Sequence, residues 1–464
     1  MFGKKEEHPS GLKIIIVGCG KVGSTLVEQL DKEGHDITVI DTNATVVQDI
    51  CNQFDVIGFT GNGASYSVQK EAGIYSADLI IAVTNSDELN LLCCTIAKRV
   101  GNCNAIARVR NPEYNTEINY LRGKLELAMI INPEYEVARE AARILALPSA
   151  LDISPFAHGQ AELIRFKVPA NNVLDNMKIA DIGQAIAGEV LICAIEREGE
   201  VFIPSGDSVL KTGDVISFVS ARKKTRKFLE KIGFQTKRVK DTMIVGGGKA
   251  SYYLAKQLLR MGISVKIIEQ DRAKCEELSI LLPEAIIING DGTDQDLLKE
   301  EGLPYAESFV PLTGIDEENI LLSLFAQQES NAKVITKVNR TAFNNIINQL
   351  DLGSILYPRY ITTEAIIAYV RARANSKDNN NIDTLYHLFN NRVEAIEFSI
   401  TEESDVTNIP LKDLTIKKGV LVSFINRNGS IIIPSGGDCI KLGDTVMVVT
   451  THTGFYDICD ILQR

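Results

Sequence analysis

The apolar residues of this chain fall into short runs that alternate with helix-patterned stretches. Residues 14–17 form the first run, a glycine turn follows, and Val22, Leu26 and Leu30 then recur at every fourth position, on one face of a helix. Further runs at 37–40, 56–59, 79–83 and 105–109 are separated by helical patterns such as Leu89, Leu92, Cys93 and Ile96. Strands alternating with helices predict a doubly wound parallel sheet, a Rossmann-like α/β domain. Beyond it come short alternating strands broken at Glu198-Gly199, Ser205-Gly206 and Thr212-Gly213, with a helix over 221–232, which predicts a small α+β module.

The whole pattern then repeats. KIIIVGCGKVGSTLVEQL, starting at Lys13, returns as TMIVGGGKASYYLAKQL, with Gly20 matching Gly248. Asp41, which ends DITVID, matches Glu269, which ends SVKIIE, and Gly61 of TGNG matches Gly290 of NGDG. Asn90 matches Asn319, Arg108 matches Lys337, Pro204 matches Pro434 and Gly213 matches Gly443, so the register holds through both modules. The expected architecture is therefore α/β: tandem Rossmann-like domains at 11–135 and 240–360, each followed by a small α+β domain, at 150–234 and 384–464. Connections fall near 136–150, 232–240 and 371–383, the last polar and Asn-rich as a linker should be.

Composition narrows the function. Hydrophobic residues at 45% and charged residues at 23% suit globular domains with real cores and exclude a disordered chain or a fibre. The formal charge of −11 opposes a nucleic-acid partner. No apolar run reaches the roughly 20 residues of a membrane helix, and the opening MFGKKEEHPS has no hydrophobic centre, so a cytoplasmic chain is expected. Nine Cys without paired CxxC sets, and His at 8, 35, 158, 387 and 452 outside any ligand spacing, predict neither a metal site nor a catalytic nucleophile.

Gly18-Cys19-Gly20-Lys21-Val22-Gly23 fits GxGxxG directly between a strand and a helix. Gly18 permits the tight turn, Gly20 lets phosphates approach the helix N-terminus, and Gly23 allows close packing. Asp41, at the end of the second strand, is placed to accept hydrogen bonds from a ribose diol and to repel a 2′-phosphate, so NAD(H), ATP or ADP fits better than NADP. Thr84, Asn85 and Arg108 lie on the carboxyl edge, where Arg108 either meets phosphate oxygens or is simply solvated. The second copy departs from the pattern. It offers Gly246, Gly248, Lys249, Ala250 and Glu269, with Ser251 in the third glycine position and Lys337 in place of Arg108. Gly61-Asn62-Gly63 and Gly290-Asp291-Gly292 either help close these pockets or are plain turns. Arg197 and Arg427, before glycine turns, either line a groove or belong to hairpin chemistry.

A nicotinamide dehydrogenase needs a catalytic domain that sets an acid or base against the substrate. Two nucleotide domains without duplicated catalytic groups suit a sensor better, a soluble NAD-dependent oxidoreductase being the competing expectation. On the series GCGKVG, DITVID, AVTNSDELN and IARVRNPEY, over residues 11–464, the chain resembles the RCK/KTN family of cytosolic regulatory subunits of bacterial Trk potassium uptake. The resemblance implies a homo-oligomeric ring, dimer or tetramer, peripheral on the inner membrane face beneath a potassium-conducting subunit of the TrkH/TrkG type. It implies NAD(H) and adenine nucleotides as ligands, with Gly18 to Val22, Asp41, Thr84, Asn85 and Arg108 as contacts. It also implies that Val137, Ala141 and Ile144 face a neighbouring subunit.

Overall fold

The computed structural model describes residues 11–186, 190–234, 236–340, 347, 350, 352–374, 382–389 and 391–463. His8 and most of the Asn-rich connector lie outside them.

The first sheet contains β1 (Lys13–Val17), β2 (Asp36–Asp41), β3 (Val56–Thr60), β4 (Leu79–Ala82), β5 (Asn104–Arg108) and β6 (Met129–Ile131). Their order is β3-β2-β1-β4-β5-β6, and every pair is parallel. Ile14, Ile15, Ile16 and Val17 are all buried, without alternation, because helices cover both faces of such a sheet. Strand order reverses between β1 and β4, so the crevice beyond their carboxyl ends is where this architecture receives ligands.

Next come β7 (Asp152–Phe156), β8 (Ala161–Lys167), β9 (Val190–Arg197), β10 (Glu200–Phe202) and β11 (Val215–Ala221), antiparallel in the order β10-β9-β11-β8-β7. The second parallel sheet has β12 (Asp241–Val245), β13 (Ser264–Glu269), β14 (Ile286–Asn289), β15 (Ser308–Pro311), β16 (Lys333–Lys337) and β17 (Ser354–Leu356), ordered β14-β13-β12-β15-β16-β17. The last sheet has β18 (Ile382–Leu388), β19 (Val393–Ser399), β20 (Val420–Arg427), β21 (Ser430–Ile432) and β22 (Thr445–Thr450), antiparallel in the order β18-β19-β22-β20-β21. Each strand order occurs twice, as the duplicated sequence demands.

Two compact units cut across this order. One contains the chain to Ala138 with Gly248–Tyr253 and Tyr357–Ile367; the other contains Arg139–Gly247, Leu254–Leu356 and Ala368–Arg464. The stripe Val137, Ala141 and Ile144 on helix Pro133–Ala146, which the family resemblance assigned to a neighbouring subunit, is buried within this single chain. That expectation is corrected: a chain this long supplies its own cover for an apolar helix face.

Within the second unit the two antiparallel sheets share one core. Phe156, Leu163 and Val219 meet Phe424, Met447 and Val449, and the Phe156 and Phe424 rings stand 6.3 Å apart, edge to face. Arg197 grips Asp214 with two hydrogen bonds of 2.8 and 2.7 Å, and Arg427 grips Asp444 with 2.8 and 2.6 Å. Each arginine also donates to a loop carbonyl, of Val209 or Cys439. These bidentate staples hold the loop before β11 or β22 onto the hairpin, so hairpin chemistry describes both arginines.

A further ion pair is fully buried. Arg371, near the end of helix Pro358–Ala374, donates from both terminal nitrogens to the Glu394 carboxylate at 3.0 Å each. Burial pushes the Glu394 carboxyl up, but the His387 hydrogen bond and the Arg371 charge outweigh it and hold it at about 2.

Candidate functional site

Residues 18–20 turn from β1 into helix Lys21–Lys32. Gly18 has φ +96°, and a Cβ there would meet the Thr84 backbone nitrogen at 2.8 Å, so glycine is required twice over. A Cβ on Gly23 would stand 1.9 Å from the Gly18 carbonyl oxygen, which fixes how closely helix and turn approach. Gly20 differs: its Cβ would meet nothing within 4 Å. It is exposed, and as N-cap it offers no side chain to the first N–H groups of the helix. The neighbouring helices Ala44–Gln53 and Asp87–Gly101 are capped by Asn43 and Ser86. The glycine-turn helix thus keeps the positive end of its dipole open to an anion.

Asp41 faces this turn. Its Oδ2 accepts from the Cys19 amide at 2.7 Å and its Oδ1 from the Asn43 amide at 2.9 Å. Each oxygen keeps a lone pair for a further donor. The Cys19 side chain is buried, and burial, followed by the Asp41 charge, pushes its thiol up to about 12. It is no nucleophile at neutral pH. Lys21 is exposed and Val22 half-buried.

On the far side of the crevice, the Thr84 amide and hydroxyl both donate to Asn90 Oδ1, at 2.8 and 2.7 Å. Asn90 Nδ2 donates to the Arg108 carbonyl at 2.9 Å, so one buried side chain ties together the loops after β4 and β5. Asp87 accepts the Arg110 and Asn111 amides at 2.9 and 2.8 Å. Arg108 is buried, donates to the Thr84 carbonyl and reaches the exposed Asn85 Oδ1 at 3.4 Å. Its Nε has no partner among the described residues. Burial, followed by the Arg110 charge, lowers its pKa, yet a guanidinium stays cationic. A guanidinium this buried is not the solvated side chain that the alternative reading required. The solvated reading of Arg108 is therefore set aside. Asp87, Asn90 and Arg110 were missed from sequence as site-building residues, although SDELN and DEEN repeat the first two as Asp316 and Asn319.

In the second copy, Gly246 has φ +99° and Gly248, like Gly20, has open space where a Cβ would go. Lys249 is exposed and Ala250 buried. Glu269 repeats the role of Asp41, accepting the Gly247 amide at 2.6 Å and the Asp271 amide at 2.8 Å. Its extra methylene changes the fit. A Cβ at position 247, where the first copy has Cys19, would meet Glu269 Oε2 at 2.9 Å and Leu278 Cδ1 at 2.8 Å. The longer acid thus requires the glycine beneath it and lies buried, whereas Asp41 remains partly exposed. Ser251 Oγ is buried without a partner among the described residues, and Lys337 Nζ donates to the Leu312 carbonyl at 3.0 Å.

Gly63 and Gly292 press against Val17 and Val245, where a Cβ would come within 2.2 Å, so both loops are close-packed turns. None of the nine Cys is disulfide-bonded, and no cluster of three His, Cys, Asp or Glu among the described residues has metal-binding geometry. Among the described residues no helix is long and apolar enough to cross a membrane.

The TrkA-N domain model matches residues 14–133 and 242–358, and the TrkA-C domain model matches 163–233 and 395–463. The chain belongs to the TrkA family. It is 30% identical to the Trk system potassium uptake protein TrkA of Haemophilus influenzae, over 94% of this chain and 95% of that one. It is 31% identical to a TrkA homolog of Archaeoglobus fulgidus, over 94% of this chain and 97% of that one. The family is one of potassium uptake rather than of catalysis, which removes the oxidoreductase expectation. Among solved structures the fold is similar to the GsuK RCK domain, with a TM-score of 0.63 at 15% identity, covering 96% of this chain and 93% of that one. It is also similar to the GsuK channel bound to NAD, with a TM-score of 0.62 at 16% identity, covering 96% and 79%.

Proposed function

We propose that this chain is the peripheral, cytoplasmic regulatory subunit of a potassium uptake system and that it responds to NAD(H), ATP or ADP bound in the first lobe. The observation that carries this reading is the convergence of the uncapped turn at Gly20, the Asp41 carboxylate and the unpartnered Nε of buried Arg108 on one sheet edge. The Gly18 to Gly23 turn and Arg108 would hold the phosphates and Asp41 the adenosine ribose, with Thr84 and Asn85 completing the edge. The relatives named for potassium uptake, and the GsuK structures with NAD and with ADP, support both halves of the proposal. In the second lobe, buried Glu269 has less to offer a ribose, so weaker binding there is expected.

Titration calorimetry of NADH, ATP and ADP tests this. Asp41→Ala should weaken the tightest ligand about thirtyfold, the loss of about 2 kcal/mol of hydrogen bonding to a charged acceptor. Equal affinity in the variant would refute the ribose assignment. Co-purification with a TrkH/TrkG-type potassium-conducting subunit tests the partner.

We further infer a homo-oligomeric ring, because large apolar side chains are exposed at matching positions of both lobes, Ile57 with Ile286 and Leu92 with Leu321, and Tyr75 and Tyr305 are exposed one position apart in the corresponding turns. Leu92→Glu with Leu321→Glu should lower the assembly size in sedimentation velocity. An unchanged size would exclude this surface.

A further inference from the structure

The duplication breaks at one place. In the first α+β module, β11 runs into helix Arg222–Lys231, of sequence RKKTRKFLEK, which buries Thr225, Phe228 and Leu229. Phe228 anchors it against Phe218, their ring centroids 4.9 Å apart. Arg222, Lys223, Lys224, Arg226, Lys227 and Lys231 are all exposed. In the second module the corresponding stretch after β22 has no such helix. Residues 222–234 carry a formal charge of +5, whereas 452–464 carry −1. Extended to residue 240, the basic segment reaches +8, on a chain whose total is −11, so all the rest sums to −19.

The helix pays locally for this charge. Arg222 and Arg226, Lys223 and Lys227, and Lys227 and Lys231 are like-charged pairs at i,i+4, each destabilising. Arg222, Lys223 and Lys224 occupy the first turn, where the helix dipole disfavours cations and where this helix has no acid. Arg222 gains a partner in Glu162 at 3.3 Å. A sequence that violates two helix rules on an exposed face, while its own packing side is regular, points to a partner outside the fold.

We propose that this helix face docks the chain electrostatically on an anionic phospholipid surface. Protein interfaces have an apolar or aromatic centre and are depleted in lysine, whereas this face is dominated by Lys and Arg and presents no exposed apolar side chain. A rigid row of four to eight basic side chains matches the diffuse field of a charged leaflet. The remaining −19 repels that leaflet, so attraction is confined to one face and the chain lands in a defined orientation.

The test is co-sedimentation of the full chain, without any membrane subunit or nucleotide, with vesicles of phosphatidylcholine alone or mixed with phosphatidylglycerol. Binding should require phosphatidylglycerol and fall as salt rises. Lys223→Glu, Arg226→Glu and Lys227→Glu combined should lower the partition coefficient at least about a hundredfold, at about fivefold per residue. The milder combination Lys223→Gln, Arg226→Gln and Lys227→Gln should fall about a hundredfold, less than the Glu set, while keeping the parent circular dichroism. The exposed set Lys70→Glu, Arg99→Glu and Lys412→Glu, on other elements of the chain, should change binding far less. Equal binding to neutral vesicles, an unaffected Gln variant, a loss as large in this control set, or tighter binding to a DNA duplex at the same salt would each overturn the proposal.

Discussion

Gly20→Val should leave the fold intact and remove nucleotide binding, whereas Gly23→Ala should do damage before any ligand is added. Gly20 has an ordinary φ of −70° and open space around its missing side chain. Replacing glycine at an N-cap by an apolar residue costs about 1 kcal/mol or less. The new side chain would fill the approach to the first N–H groups of the helix. Losing two charge-assisted hydrogen bonds at about 2 kcal/mol each weakens binding roughly a thousandfold. Gly23→Ala instead sets a methyl 1.9 Å from a backbone oxygen that cannot rotate away. Strain of that kind costs about 3 kcal/mol or more. Urea unfolding alongside calorimetric titration separates the two: a Gly20→Val protein that still binds, or a Gly23→Ala protein as stable as the parent, contradicts this account of the turn.

Glu394→Gln should be among the most destabilising single changes in the chain. It leaves the buried Arg371 guanidinium without its counter-charge, and breaking a buried pair from one side costs about 3 to 5 kcal/mol. The double variant Arg371→Met with Glu394→Leu should recover most of the loss, because what destabilises is the uncompensated charge and not the absence of the pair. The pH dependence has a definite sign. The carboxyl is held at about 2 in the folded chain against an ordinary 4.5. Its contribution is complete above about 4.5 and disappears as the pH falls towards 2. Unfolding midpoints across that window should decline less steeply for Glu394→Gln than for the parent. Parallel curves would show that the carboxylate is not the titrating group.

The strands of the first sheet were legible because an all-buried parallel strand writes itself as a continuous apolar run, as residues 14–17 do. The glycine turn was legible because Gly18 needs a positive φ, Gly23 a close approach and Gly20 open space at the helix N-terminus, and the three fall at fixed spacing between a strand and a helix. The edge strands β6 and β17, three residues each, carry too little pattern to be found. Asp87 and Asn90 were visible only as repeat markers, because their role depends on which loops converge, and convergence is a property of strand order. The fate of Glu269 hinged on a single methylene, which a motif treating Asp and Glu alike ignores. The interleaved compact units were beyond reach: they depend on where helices Lys249–Arg260 and Pro358–Ala374 come to rest, and amphipathic pattern says which face is buried but not against what.

The bond from the Cys19 amide to Asp41 ties the turn to the end of β2 through groups of the chain itself. The turn is therefore already cast, and a ligand arriving there has little loop ordering to wait for. Association under such conditions is governed by diffusion and departure by the strength of the contacts themselves. On the proposed nucleotide reading, a detector built this way would keep pace with the metabolite pool: it would report present abundance and carry no memory of earlier occupancy.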